Sequence, residues 1–285
     1  MRNFTLRKGF LESNFGTRSS FKGFVMLVVM LIMTASSAMA EVVDGLRYNL
    51  DSETKTATLL PNNYSGDIVV PEKVKGNDGV EYVVTAFEDR CFYHCGLTSI
   101  TIPSSVTSLG RSCFSGCSRL TSITIPSSVT SLGEDCFYDC SGLTSITIPS
   151  SVTSLGDYCF YNCSGLTSIT IPSSVTSLGR ACFKDCIGLT SITIPSSVTS
   201  LGGSCFWGCS GLTSITLPSS VTSLGDGCFW HCSGLTSITI PSSVTSLGED
   251  CFINCIRDYK TGQAITSIKA SIIQRIYCLW QFYFL

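Results

Sequence analysis

The chain is short of charge, of histidine and of long apolar runs, and each scarcity removes a class of function. Only 13% of its 285 residues are Asp, Glu, Lys or Arg, and the formal net charge is −2. Residues 1–40 hold five basic residues and one acid, so without them 13 basic face 19 acidic residues and the balance falls to −6. The basic footprint of a nucleic-acid binder is therefore missing. His94 and His231 are the only histidines, and in a regular stack their repeat positions lie roughly 29 Å apart, so no site uses both. No G-x-S-x-G elbow, P-loop or dinucleotide fingerprint occurs, and abundant Ser is repeat text rather than a nucleophile motif. The residues support no catalytic reading, no metal site and no cofactor.

The one long apolar run, Gly23 to Met33, has eleven residues, where a membrane span needs about twenty. It follows Arg2, Arg7, Lys8, Arg18 and Lys22 and precedes Ala38-Met39-Ala40. That order reads as an export signal over residues 1–40, cleaved before Glu41, with no transmembrane span in the mature chain. The expected location is extracellular or at the cell surface.

What is plentiful is repetition. From Cys91 to Cys255 a 23-residue unit recurs, as in CFSGCSRLTSITIPSSVTSLGED, with seven nearly identical strand units. A fixed period of this length means stacked coils that share one core. Within one unit Leu120, Ile123, Ile125, Val129, Leu132, Cys136, Phe137 and Cys140 are the apolar set. Ile123 and Ile125 alternate with Ser122 and Thr124, the period of a half-buried strand, and Pro126 ends it. A second extended piece, Val129 to Leu132, closes at Gly133, which is expected to supply a turn geometry that other residues resist. The fold class is a β-rich leucine-rich-repeat solenoid of about eight coils with parallel strand ladders.

An upstream coil is degenerate: Ile68-Val69-Val70-Pro71 matches Ile100 to Pro103, and Val84 to Phe92 matches Val106 to Phe114. KVKGNDGVEY between them reads as an inserted hairpin turning at Asn77-Asp78-Gly79. LRYNL and TATLL read as strands of an N-terminal β cap over residues 41–66, ahead of a solenoid over 67–255. The last segment, 256–285, breaks the repeat and is compatible with a cap, a truncated chain or out-of-frame text.

The order L-x-x-I-x-I-P-x-x-V-x-x-L-G-x-x-C-F-x-x-C over residues 67–255 resembles the BspA-like leucine-rich repeat of bacterial surface proteins. That resemblance implies adhesion to host matrix proteins or to other cells rather than enzymatic activity. The family pattern usually has Ala where this chain has Cys113, Cys136 and Cys159.

Sixteen of the 17 cysteines form C-x-x-x-C pairs at the repeat period, with Cys278 left over. The spacing does not suit zinc hooks. Same-position cysteines on adjacent coils lie within disulfide range, but parallel Cβ vectors favour a column of buried thiols.

Nineteen positions per unit are nearly constant and four vary: the two after the glycine and the two between Phe and the second Cys. These four are expected to stack into one exposed ribbon. Tyr93, His94, Tyr138, Tyr158, Tyr161, Trp207, Trp230 and His231 are its candidate binding residues, in a mixture with Gly, Asp and Asn that suits protein recognition. The expected partner is a host extracellular-matrix or cell-surface protein, or another cell's surface. On this reading, serine at Tyr161, Trp207 and Trp230 abolishes binding and spares the fold. The alternatives are a structural spacer or surface coat without a partner, and a Ser/Thr sheet face that binds glycan or ice.

Overall fold

The computed structural model describes residues 40–255. The export-signal reading of residues 1–39, the terminal segment 256–285 and Cys278 lie outside the described residues. The described chain begins with β1 (Glu41–Val43), β2 (Leu46–Asp51) and β3 (Thr56–Leu59), followed by β4 (Ser65–Val69), β5 (Lys73–Lys75) and β6 (Glu81–Phe87). The first regular coil carries β7 (Gly96–Thr101) and β8 (Ser108–Leu109), and the next two carry β9 (Ser122–Thr124) and β10 (Ser145–Thr147). The remaining coils alternate a three-residue and a two-residue strand: β11 (Ser168–Thr170), β12 (Ser177–Leu178), β13 (Ser191–Thr193), β14 (Ser200–Leu201), β15 (Ser214–Thr216), β16 (Ser223–Leu224), β17 (Ser237–Thr239) and β18 (Ser246–Leu247). Among the described residues no helix is long and apolar enough to cross a membrane.

Strands in equivalent positions pair in parallel with a one-coil offset. Ile123 lies beside Ile146, and Ile169 beside Ile192, in a six-stranded sheet running from β9 to β17. Leu178, Leu201, Leu224 and Leu247 form a second ladder through β12, β14, β16 and β18. The degenerate upstream coil keeps the register read from its sequence: Ile68 pairs with Ile100, and Phe87 with Leu109. Across that first junction the Asp67 carboxylate accepts the Thr98 hydroxyl at 2.6 Å and the Ser99 hydroxyl at 2.7 Å. β5 and β6 form the inserted antiparallel hairpin, with Gly79 in a left-handed conformation at its turn. β1, β2 and β3 run antiparallel, and β3 joins β6 in parallel.

The third side of each coil, from the glycine to the second cysteine, is not a strand, yet most of its amides are hydrogen-bonded. Alternate amides donate to the next coil, as Ser112 to Glu134, Phe114 to Cys136 and Gly116 to Tyr138, while Ser115 and Cys117 donate three residues back to Ser112 and Phe114. Most backbone groups are thereby paired without regular secondary structure.

All eight apolar positions of the unit face inward. Leu120, Val129, Cys136, Phe137 and Cys140 are fully buried, and Ile123, Ile125 and Leu132 nearly so. The phenylalanines make a continuous column from Phe92 to Phe252, with neighbouring centroids 5.2 to 5.5 Å apart and rings within 8° of parallel. Stacked aromatic pairs contribute about 0.5–1.5 kcal/mol each beyond area burial. No coil offers this to itself, so the column ties each unit to its neighbours.

The sixteen described cysteines are free and buried. The two rows have different work. The second-row thiols donate to the phenylalanine carbonyl of the preceding coil: Cys117 to Phe92 at 3.0 Å, Cys140 to Phe114 at 3.1 Å, Cys163 to Phe137 at 3.1 Å. The first-row cysteines Cys113, Cys136 and Cys159 are fully buried and fill space in the core.

Gly133 and its equivalents, expected to supply a turn geometry other residues resist, do not adopt left-handed backbone. A β-carbon on Gly156 would lie 2.6 Å from the carbonyl carbon of Gly133, and Gly110, Gly179, Gly202, Gly225 and Gly248 meet the neighbouring backbone as closely. Two backbones therefore touch along this row everywhere but at Gly133 itself, which has open space. The left-handed residues are elsewhere, on the variable positions.

Candidate functional site

The four variable positions do fall on one side of the coil, where each repeat turns back toward the strand. Two of the four hold the backbone at positive φ. Ser112, Asp135, Tyr158, Ala181 and Ser204 precede the first cysteine with φ between 50° and 58°, and Asp139, Asn162, Asp185 and His231 precede the second with φ between 53° and 59°. Gly116 and Gly208 take the same place at 76° and 73°. Gly, Asn, Asp and His are the residues most tolerant of this region. The composition expected to signal adaptable recognition thus has a local backbone cause at the position before the second cysteine.

A second structural role falls on aspartates at the first variable position, directly after the glycine in the regular coils and after Glu88 in the degenerate one. The carboxylates of Asp89, Asp157 and Asp226 accept the backbone N–H of Arg111, Arg180 and Glu249, each one coil further on, at 2.7, 2.7 and 2.9 Å.

The position directly after the core phenylalanine carries the aromatic residues, and there the structure brings most of the candidates together. Tyr138 and Tyr161 stack at 4.5 Å with planes 5° apart, and Trp207 and Trp230 stack at 4.5 Å with planes 15° apart. Lys184 joins the two pairs: its ammonium lies 4.4 Å from the Trp207 ring centre and 5.7 Å from that of Tyr161. The result is one unbroken column over five coils, Tyr138–Tyr161–Lys184–Trp207–Trp230. Tyr158 leans on Tyr161 at 6.2 Å, and His231 lies 5.9 Å from Trp230. Tyr93 and His94 stand apart, separated by the coil that has Ser115 and Gly116. Tyr93 is 47% exposed, faces Arg90 at 5.6 Å and meets His94 edge-on at 4.4 Å.

Stacking changes what these rings offer. Tyr161 and Trp207 are each covered on both faces, by Tyr138 and Lys184 and by Lys184 and Trp230, so they present edges to solvent. All four column rings are half-buried. Serine at these positions removes stacking as well as surface, so such variants do not separate binding from folding. Lys184, absent from the candidates read from sequence, is the link in the column. The signal for it was its place in the aromatic row.

Burial, followed by the nearby Asp185 carboxylate, pushes the Tyr161 phenol up to about 12. Burial also raises Tyr138. Both phenols remain neutral hydrogen-bonding groups at physiological pH.

Charge is gathered on the same strip. Between Cys91 and Cys255 twelve residues are charged, and all but Arg119 occupy variable positions. Eight are acidic (Glu134, Asp135, Asp139, Asp157, Asp185, Asp226, Glu249, Asp250) and three basic (Arg111, Arg180, Lys184). Arg111 is held by Glu134 at 2.7 Å and Asp135 at 3.5 Å. The sheet face, in contrast, shows only Ser and Thr, and part of its hydroxyl inventory is spent between coils, as where Thr144 donates to the Thr121 carbonyl at 3.0 Å. Among the described residues no group of three or more His, Cys, Asp or Glu side chains is arranged to hold a metal.

Parallel ladders at a 23-residue offset, one shared core and a variable strip on the turn side define a leucine-rich-repeat solenoid. The chain belongs to the BspA type leucine rich repeat family: the family model for the BspA type Leucine rich repeat region matches residues 85–213 and 153–278, with six copies. A leucine-rich repeat protein from Bacteroides ovatus is similar in structure, with a TM-score of 0.71 and 32% identity over 76% of this chain. The chain spans 57% of that protein's length. The leucine-rich repeat protein of T. pallidum shares the fold, with a TM-score of 0.53 and 24% identity over 84% of this chain and 95% of its own. No curated protein matches the sequence.

Proposed function

We propose that this protein is an exported, adhesin-like binding module that recognises a host matrix or cell-surface protein, or another cell's surface, through the strip of variable positions. The observation that carries this is the segregation of side-chain chemistry. Eleven of the twelve charges between Cys91 and Cys255 share the strip with the aromatic column, while the rest of each coil is constant and nearly chargeless. Repeat solenoids present extended surfaces of this kind to macromolecular partners. The outward ring edges of Tyr138, Tyr161, Trp207 and Trp230, with Tyr158 and His231 beside them, supply rigid contact area. Tyr93 and His94 form a separate patch at the N-terminal end.

In this reading residues 1–40 direct export and are removed before Glu41, residues 41–66 protect the first coil's edge, 67–255 form the solenoid and 256–285 follow it. N-terminal sequencing of the released protein tests the first step, with Glu41 as the expected first residue. The recognition step is tested by binding of the chain from Glu41 onward to immobilised matrix and cell-surface proteins. Glu134→Lys with Glu249→Lys, both exposed on the strip and outside its left-handed positions, should weaken binding at least tenfold, and Thr147→Lys on the sheet face should leave it unchanged. The reverse pattern rejects the strip as the binding surface, and the absence of any partner favours a spacer role.

A further inference from the structure

From Arg111 to Glu249 every coil carries a charged side chain in the position after the glycine that follows the second strand, with one exception, Gly203. In the same region the following position is small as well: Ala181, Ser204 and Gly227. The missing side chains leave a cavity of about 560 Å³ between Arg180 and Asp226, floored by Gly202, Gly225 and Gly248 and bordered by Ser204, Ser223 and Ser246. That volume is within the roughly 300–1,000 Å³ of small-molecule sites.

The groups around it are unspent. Of the three strip cations, Arg111 is bound by two carboxylates and Lys184 lies between two rings. The Arg180 guanidinium has no partner among the described residues; its backbone N–H donates to Asp157 and its carbonyl accepts from the Tyr158 N–H. Asp226 uses one carboxylate oxygen to cap Glu249 and keeps the other. Among the described residues the hydroxyls of Ser204, Ser223 and Ser246 have no hydrogen-bond partner, whereas those of Ser151, Ser174 and Ser197, at another repeat position, donate to valine carbonyls of the preceding coil at 2.6 Å. The two apolar residues lining the cavity, Leu201 and Leu224, are 2% exposed, so nothing there receives a greasy side chain.

We infer that this notch binds a carboxylate-bearing sugar, with Arg180 pairing to the carboxylate and Asp226 and Ser204 meeting ring hydroxyls. A guanidinium fork matches a carboxylate in two parallel bonds. A carboxylate acceptor and free hydroxyls suit a ligand rich in O–H groups, whereas an acidic peptide side chain brings its charge on an apolar stem. The site does not depend on the protein partner proposed above.

Calorimetric titration of the full-length protein with sodium glucuronate and with N-acetylneuraminate, against glucose and acetate, tests the assignment. Saturable binding of an acidic sugar and no binding of glucose or acetate is expected. Arg180→Gln, an exposed change that spares the backbone, should weaken binding at least tenfold. Gly203→Asp, which restores the charge found in the other coils, should abolish it. Absence of acidic-sugar binding, equal binding of acetate, or full binding by Arg180→Gln overturns the inference.

Discussion

A β-carbon on Gly165 would stand 2.6 Å from the carbonyl oxygen of Ser141 in the preceding coil. The Ser-Gly step after the second cysteine is therefore a point where successive coils touch backbone to backbone. Arg119 breaks this row, and its coil follows the one that lacks a residue after Cys95. The carbonyl that would collide with a side chain at 119 is missing, so the shortened first unit and the arginine belong together. Gly165→Ala should lower unfolding stability by about 1–3 kcal/mol in urea titrations. Arg119→Gly should change it by no more than about 0.5 kcal/mol. Equal effects at the two positions would refute the touching-backbone account.

Ser204 sits at φ 58° and its hydroxyl has no hydrogen-bond partner among the described residues. Valine there places a β-branched residue in the left-handed region and should lose about 1–2 kcal/mol. Glycine should be neutral or gain up to about 1 kcal/mol. Thermal melts of the two variants should bracket the parent, and a valine variant as stable as the glycine one contradicts the backbone argument.

The aromatic column contributes to stability as well as surface. Trp207→Ser removes contacts to both Trp230 and Lys184 and should lower the melting temperature by several degrees. Trp207→Phe keeps a ring in the stack and should recover most of the loss. A melting temperature unmoved by serine would mean the column is surface only.

Burial raises the thiols, with Cys117 and Cys186 reaching about 12 from an ordinary value of 9.0. The folded chain thus holds protons that the unfolded chain releases from about pH 9 upward. Stability is fully present below that pH and is lost as pH rises toward the folded-state values. The melting temperature should be flat to about pH 8 and fall above 9. Replacing Cys136, Cys159 and Cys182 with Ala should flatten the alkaline fall, and an unchanged slope would assign it to other groups.

The period, the inward positions and the parallel pairing were legible in the residues, because a 23-residue repeat admits one way of burying Leu120, Ile123, Val129 and Phe137 in every unit at once. Even the degenerate coil was readable: Ile68 and Phe87 pair with the residues they match. The row of Gly133 was legible as constrained but not as to why, since close approach of two backbones and a left-handed turn both demand glycine and only coordinates separate them.

The variable strip shows where reading along the chain stops. Four changing positions looked equivalent in sequence, yet one holds left-handed backbone, a second combines that geometry with the Gly, Asn, Asp and His that tolerate it, a third caps the next coil and the fourth stacks its rings. The difference arises between coils, from residues 23 apart that meet only when the solenoid closes its ladders. Composition placed Tyr161, Lys184 and Trp207 on one ribbon; stacking decided that they share faces and turn their edges outward. The repeat text determined the scaffold because every unit states it again, and the tertiary structure decided the surface because its chemistry belongs to neighbouring units.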